Sequence, residues 1–248
     1  MRKILDLITY YFVKIYVFTY IFFKKITGIK WEKVNSIYLP LDFSIGFDTL
    51  RWIVNHQYEI NEIQIIQNTI QTEDIVLEIG TGLGFISSFC CKKNNNKVYT
   101  FEANPNNYEI CKNVFIKNGV NPNHQNIVLS NDEGTINFSV NNKRRLASSL
   151  LNKNENITLI QTQNLNNIIS SVKPNYLIMD IEGGEYEIFK IIDFQYICKV
   201  QFELHPQLLD ESKCVEIFDL LEANHFTKNE TLSKNNNFYE TLFSLLDQ

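Results

Sequence analysis

The segment LIMDIEGGEYEIF, residues 177–189, sets three carboxylates around a Gly-Gly pair directly after an apolar run: Asp180, Glu182 and Glu185. Like charges this close repel one another. A surface loop tolerates that, and a site that orients a cation, a hydroxyl or a cofactor uses it. A hydroxyl is a poor nucleophile until its proton is accepted by a positioned carboxylate or imidazole. Asp180 and His205, the residue closing the run FELH, are the candidate bases, with Glu182 as a further catalytic candidate. Glu203 with Asp180 and Glu182 could instead hold a divalent cation, since hard cations prefer oxygen ligands. The preferred reading has no metal. Glu185 falls at a predicted helix start, where negative charge is favourable for structural reasons alone.

A second constellation is VLEIGTGLGF, residues 76–85, with Glu78 followed by Gly80, Thr81, Gly82 and Gly84. Glycines at a strand end let the backbone turn tightly and let a ligand approach the main chain. The following helix would point its N-terminal amides at that ligand. The spacing is GxGxG rather than the GxGxxG of dinucleotide sites. A carboxylate at Glu78 would oppose a pyrophosphate anion. It suits a ligand with a cationic amino group, such as S-adenosylmethionine. The next strand ends at Glu102–Ala103, where a carboxylate can accept both ribose hydroxyls, a device that NAD enzymes share. Ser130 and Asn131, in SNDEG, are placed to reach an adenine or to form an ordinary turn.

These residues need strands to carry them. Short apolar runs alternate with helical patterns from residue 74 onward: IVLEIG, a helix over 84–93, KVYTFE, a helix over 106–118, then NIVLS as the third strand. GTINFSV alternates like an edge strand, and a polar stretch follows it. NYLIMD, a helix from Glu185, CKVQFELH, a helix over 213–222 and NFYETLFSLL complete the series. Strands separated by helices predict an α/β fold, with a mostly parallel sheet covered on both faces. Ligands then sit at the carboxyl ends of the strands. Upstream, residues 36–50 read as a strand and turn. Ile60, Ile63, Ile66 and Ile70 recur at helical spacing.

The 248 residues carry a net charge of −5, which argues against broad nucleic-acid binding. Five cysteines, an odd number without a CxxC pair, suggest a reduced, cytoplasmic protein. Cys111, Cys198 and Cys214 fall among core-like residues, and Cys90 and Cys91 read as helix packing. No Asn-Pro-Pro-Tyr or Pro-Cys follows the fourth strand, which argues against methylation of a base amino group or of cytosine C5. Lys143, Arg144 and Arg145 lie in a predicted loop. They read as a solvated charge run or as a contact for an anionic acceptor.

Residues 4–23 are dominated by aliphatic and aromatic side chains flanked by basic residues. The length suits a membrane span, but Asp6 and Lys14 are costly in hydrocarbon. An interfacial helix and a helix packed on its own domain or in a dimer are both consistent, so residues 1–27 are a candidate for peripheral membrane contact. The domain reading is residues 1–35 for this helix and linker, and 36–248 for the remainder.

Taken in order, YEINEIQII, VLEIGTGLGFIS, FEANPNNYEICKNVFIKNG, LSNDEGTINFSV…ASSL, MDIEGGEYEIF and FELHP resemble the FkbM family of S-adenosylmethionine-dependent methyltransferases over about residues 58–245. The resemblance implies a Rossmann-like class I methyltransferase fold with a seven-stranded sheet. It implies S-adenosyl-L-methionine as cofactor, with Glu78, Gly80, Gly82 and Glu102 lining its site. It also implies O-methylation of a sugar or polyketide hydroxyl, and a sugar or glycan hydroxyl is the preferred expectation. Asp180, Glu182, Gly183 and Glu185 form the family hallmark, and Asp180 is expected to orient the acceptor or the sulfonium region. The family commonly has Asp where this chain has Glu78. The competing expectations are an NAD-dependent oxidoreductase and an inactive scaffold of the same fold.

Overall fold

The computed structural model describes residues 2–140, 156–181, 183–205, 207–233 and 240–245. Glu182 and the basic triplet Lys143, Arg144 and Arg145 lie outside the described residues. The chain divides into two compact units, Met1–Ile60 and Asn61–Gln248.

The first unit opens with helix α1, Arg2–Ile26. It ends where Gly28 turns to φ +76° and the amides of Gly28 and Ile29 bond the carbonyls of Lys25 and Lys24 at 3.0 and 2.8 Å. A left-handed glycine is the common way to stop a helix. Strands β1, Trp31–Val34, and β2, Ile37–Pro40, form a hairpin. Its two turn residues, Asn35 and Ser36, both have positive φ, which matches the twist of the strands. Helix α2, Phe47–Val54, follows a short helical turn and packs against α1. The sequence pattern missed α2, because eight residues hold little more than two helical turns of periodicity. The unit runs past residue 35, the boundary expected from composition.

The second unit begins with α3, Ile60–Thr69, and then alternates. β3 (Val76–Ile79), α4 (Phe85–Asn94), β4 (Val98–Phe101) and α5 (Pro105–Asn118) lead to β5 (Asn123–Gln125). β6 (Val128–Ser130), β7 (Gly134–Val140) and β8 (Asn156–Asn164) form a separate three-stranded sheet. α6 (Leu165–Val172), β9 (Tyr176–Met179), α7 (Glu185–Ile191), β10 (Lys199–Glu203), α8 (Glu211–Ala223), β11 (Phe226–Lys228) and β12 (Glu240–Leu245) complete the unit.

The main sheet has seven strands in the order β11-β12-β10-β9-β3-β4-β5. β5, β4, β3, β9 and β10 run parallel. β12 is inserted antiparallel between β10 and β11. This is the Rossmann-like class I methyltransferase architecture. All four residues of β3 and of β9 are buried, as a sheet covered on both faces requires. Leu77, Ile79, Leu177, Met179, Val200 and Phe202 form one core with Ile188, Phe189, Ile217 and Leu221 of α7 and α8. At the opposite ends of the strands, Asp74 accepts from Lys199 Nζ (2.5 Å), Asn175 Nδ2 (2.8 Å) and the Gln71 amide (2.7 Å). That network ties the starts of β3, β9 and β10 together.

Three expectations change. The third strand of the main sheet is Asn123–Gln125, and the apolar NIVLS run supplies β6 of the smaller sheet instead. The closing run gives β12, but β11 is the edge strand beyond it. Cys198 is exposed, whereas Cys90, Cys91, Cys111 and Cys214 are buried. Cys198 directly precedes β10, at its solvent-facing start.

Candidate active site

The first strand and its loop turn at the point where the sheet order reverses. The Gly80 amide bonds the Phe101 carbonyl (2.9 Å), and the Asp180 amide bonds the Ile79 carbonyl (3.0 Å). Gly80, Gly82 and Gly84 all have positive φ. A Cβ at Gly80 would collide with the Asp180 carbonyl oxygen. One at Gly84 would lie 2.7 Å from the Phe115 ring. At these two positions glycine is required by the neighbouring chain itself, the end of β9 and the face of α5. The sequence by itself suggests a tight turn and a close ligand approach, not this contact between chain segments.

Glu78 is 2 % exposed. Its Oε2 accepts from Thr100 Oγ1 at 2.6 Å and from Ser87 Oγ of α4. Thr81 Oγ1 is bonded to Thr100 Oγ1, so Thr81 closes the same network. Glu78 therefore sits beneath the glycine loop and braces it between β4 and α4. Glu102 ends β4, buried. Its Oε2 accepts the Gly82 amide (3.0 Å) and its Oε1 the Asn104 amide (2.7 Å). Burial pushes both carboxyls up to about 7. Their hydroxyl and amide donors oppose that rise, and the charge of Asp180 adds to it.

Among the described residues neither Glu78 nor Glu102 has an ion-pair partner. Two buried carboxyls without a cation fit a ligand that brings one. With main-chain donors at Asn104, Gly82 and Thr81 shared between its two oxygens, the Glu102 carboxylate keeps accepting capacity for a ribose hydroxyl. The residues present thus fit S-adenosylmethionine.

Asp180 ends β9, half exposed, and His205 follows β10, its parallel neighbour. His205 is 6 % exposed, and its Nδ1 is 2.5 Å from Oε1 of Glu185, which is fully buried. The carboxylate accepts, so Nδ1 carries the proton and Nε2 becomes the ring's acceptor. Nε2 faces Asp180 Oδ1 at 3.8 Å, longer than a direct hydrogen bond. Glu185 Oε1 also accepts the Gly183 amide at 3.3 Å. Glu185 therefore serves both the helix start and the histidine, the second of which the sequence did not reveal. One ring nitrogen of His205 and one oxygen each of Asp180 and Glu203 lie within 4.8 Å of one another, a donor set that could hold a metal ion. His205 joins Asp180 and Glu203 in that set, and Glu182, the third ligand expected there, lies outside the described residues.

The remaining expected residues are dispersed. Ala103 is half-buried against Phe138, Val140 and Ile160, and its carbonyl accepts from Asn126 Nδ2 (3.1 Å). Ser130 ends β6 and Asn131 opens the turn after it. Ser130 Oγ donates to the Asp132 carbonyl at 2.6 Å, and the Asn131 carbonyl accepts from Asn164 Nδ2 at 2.5 Å. Both fall outside the main sheet. Asn126, just past β5, holds the carbonyls of Glu102 and Ala103 and so shapes the rim beside Glu102. It had been read as the start of a strand.

The sheet order, the glycine loop and the carboxylate at the end of β4 define a class I methyltransferase. The FkbM methyltransferase domain matches residues 74–230, and the chain belongs to that family. It is an S-adenosylmethionine-dependent methyltransferase. Among solved structures it is similar to the ribosomal protein L11 methylase of Lactobacillus delbrueckii subsp. bulgaricus, with 12 % identity over 78 % of this chain and 81 % of that one and a TM-score of 0.47. It is also similar to a precorrin-6y C5,15-methyltransferase of Geobacter metallireducens GS-15 (10 %, 76 % and 88 %, TM-score 0.45). A third similarity is to a SAM-dependent methyltransferase of Aquifex aeolicus (10 %, 75 % and 90 %, TM-score 0.42). No curated protein sequence matches the chain.

Proposed function

We propose that the enzyme methylates a hydroxyl oxygen of a sugar or glycan, with His205 as the base. The observation that carries this is the order Glu185–His205–Asp180 at the ends of two adjacent strands, next to the loop at Gly80. Bound S-adenosylmethionine supplies an electrophilic methyl group on sulfur. Glu102 anchors the ribose. Glu185 holds Nδ1–H of His205, so that Nε2 can take the acceptor proton as the oxygen becomes nucleophilic. Asp180, half exposed, orients the acceptor by accepting a second hydroxyl, and alignment of the reacting atoms supplies much of the remaining effect. A glycan carried on a lipid would bring the enzyme to a membrane surface, the peripheral contact expected of residues 1–27.

The test is transfer of labelled methyl from S-adenosylmethionine to a panel of free and lipid-linked glycans by the wild type and by His205→Ala and Asp180→Asn. Ether-linked methyl on a sugar oxygen, lost in His205→Ala with cofactor affinity retained, is the expected result. Labelled methyl on nitrogen or carbon overturns the acceptor reading. Full activity in both variants overturns the mechanism.

A further inference from the structure

Helix α1 is apolar on both of its long faces. The inner face buries Val17 and Ile21 completely. On that side Tyr20 donates to Glu32 at 2.7 Å, and Lys24 pairs with the same carboxylate at 3.3 Å. The outer face carries Phe12, Ile15, Tyr16, Phe22, Phe23 and Ile26, between 51 % and 69 % exposed. Their spacing of three and four residues puts them in one stripe. At 1.5 Å per residue the stripe is roughly 20 Å long, and a contiguous exposed apolar patch is the kind of surface that marks an interaction site. No helix among the described residues is long and apolar enough to cross a membrane.

The charge distribution says what kind of surface would cover the stripe. Residues 1–30 hold six of the 23 basic residues and one of the 28 acidic ones, a net +5, which leaves −10 on the rest of the chain. The six are Arg2, Lys3, Lys14, Lys24, Lys25 and Lys30. A second copy of this helix would bring the same positive charge against itself. An anionic lipid surface complements it. Tyrosine and phenylalanine settle at the boundary between headgroups and acyl chains, and lysine stems reach from there to the phosphates. We propose that the outer stripe of α1 lies in the interface of an anionic membrane, drawn there by the net positive charge of residues 1–30. This binding function is separate from methyl transfer and independent of which acceptor the enzyme uses.

The test is co-sedimentation of the full chain with vesicles of phosphatidylcholine alone and with added phosphatidylglycerol. Binding to the anionic vesicles is expected to exceed that to the neutral ones by about tenfold or more, and to weaken in high salt. The triple variant Phe12→Ser, Phe22→Ser, Phe23→Ser should lose binding while keeping its melting temperature and its affinity for S-adenosylhomocysteine. Lys25→Glu with Lys30→Glu leaves the apolar stripe intact and should weaken anionic binding several-fold. A wild type that stays in the supernatant with both vesicle types overturns the proposal. So does a wild-type dimer that the triple variant converts to monomer without any vesicle binding.

Discussion

Nδ1 of His205 lies 2.5 Å from Oε1 of Glu185, which is fully buried, while His205 itself is 6 % exposed. A buried carboxylate on one ring nitrogen fixes the tautomer and leaves the other nitrogen to accept a proton. Glu185→Gln keeps the shape of the side chain but removes that control. It should lower kcat about 100-fold, within the range typical of general-base effects. The dissociation constant for S-adenosylhomocysteine should stay within about twofold, since the residue touches no expected cofactor atom. Calorimetric titration with single-turnover kinetics separates the two. Equal losses in affinity and rate would assign Glu185 to the fold rather than to the histidine.

Burial holds Glu78 and Glu102 near 7, above the ordinary carboxyl value. Below neutrality the unliganded protein therefore keeps protons there. A ligand that brings a cation and two ribose hydroxyls favours the ionised forms. S-adenosylhomocysteine binding at mildly acidic pH should release protons, and its affinity should rise as pH approaches 8. Titration in buffers of different ionisation enthalpy measures the release. Proton uptake on binding would contradict it.

The same two groups give a stability prediction. A carboxyl whose folded value is raised stabilises the native state fully below its unfolded value, and that contribution is lost as pH rises through about 7. The unliganded enzyme should therefore lose melting temperature between about pH 5 and pH 8. Glu102→Gln should flatten the slope, as read by calorimetric scans across that window.

Gly80→Ala would set a methyl group against the Asp180 carbonyl at φ +89°. Strain of this kind costs about 1–3 kcal/mol. The backbone it displaces carries Asp180, so kcat should fall together with stability. Gly28→Ala has open space around the new methyl and should cost stability only. Melting curves and rates for the pair distinguish the two cases.

The donor set of Asp180, Glu203 and His205 also permits a metal test. With Nε2 as proton acceptor, chelation should leave methyl transfer unchanged. Loss of activity on chelation, restored by magnesium or manganese, would make Nε2 a ligand and shift activation of the hydroxyl to the metal.

The sequence by itself determined the strand–helix alternation, the glycine loop after β3, and the carboxylates at the ends of β3, β4 and β9. Local periodicity and turn chemistry suffice for those, because each is written within about ten neighbouring residues. It did not reveal α2, the edge position of β11, or the separate sheet formed by β6, β7 and β8. Nor did it show that Glu78 braces the loop through Ser87 and Thr100 while Glu102 stays at the rim. Both are acids at strand ends, and only the packing of α4 on β4 separates their roles. The pairing of Glu185 with His205 depends on α7 turning back after β9 and on β10 lying parallel beside it. Twenty residues separate the two side chains, and no short-range pattern records that distance. Register between neighbouring strands decided it, because register is set by the whole core that the strands share.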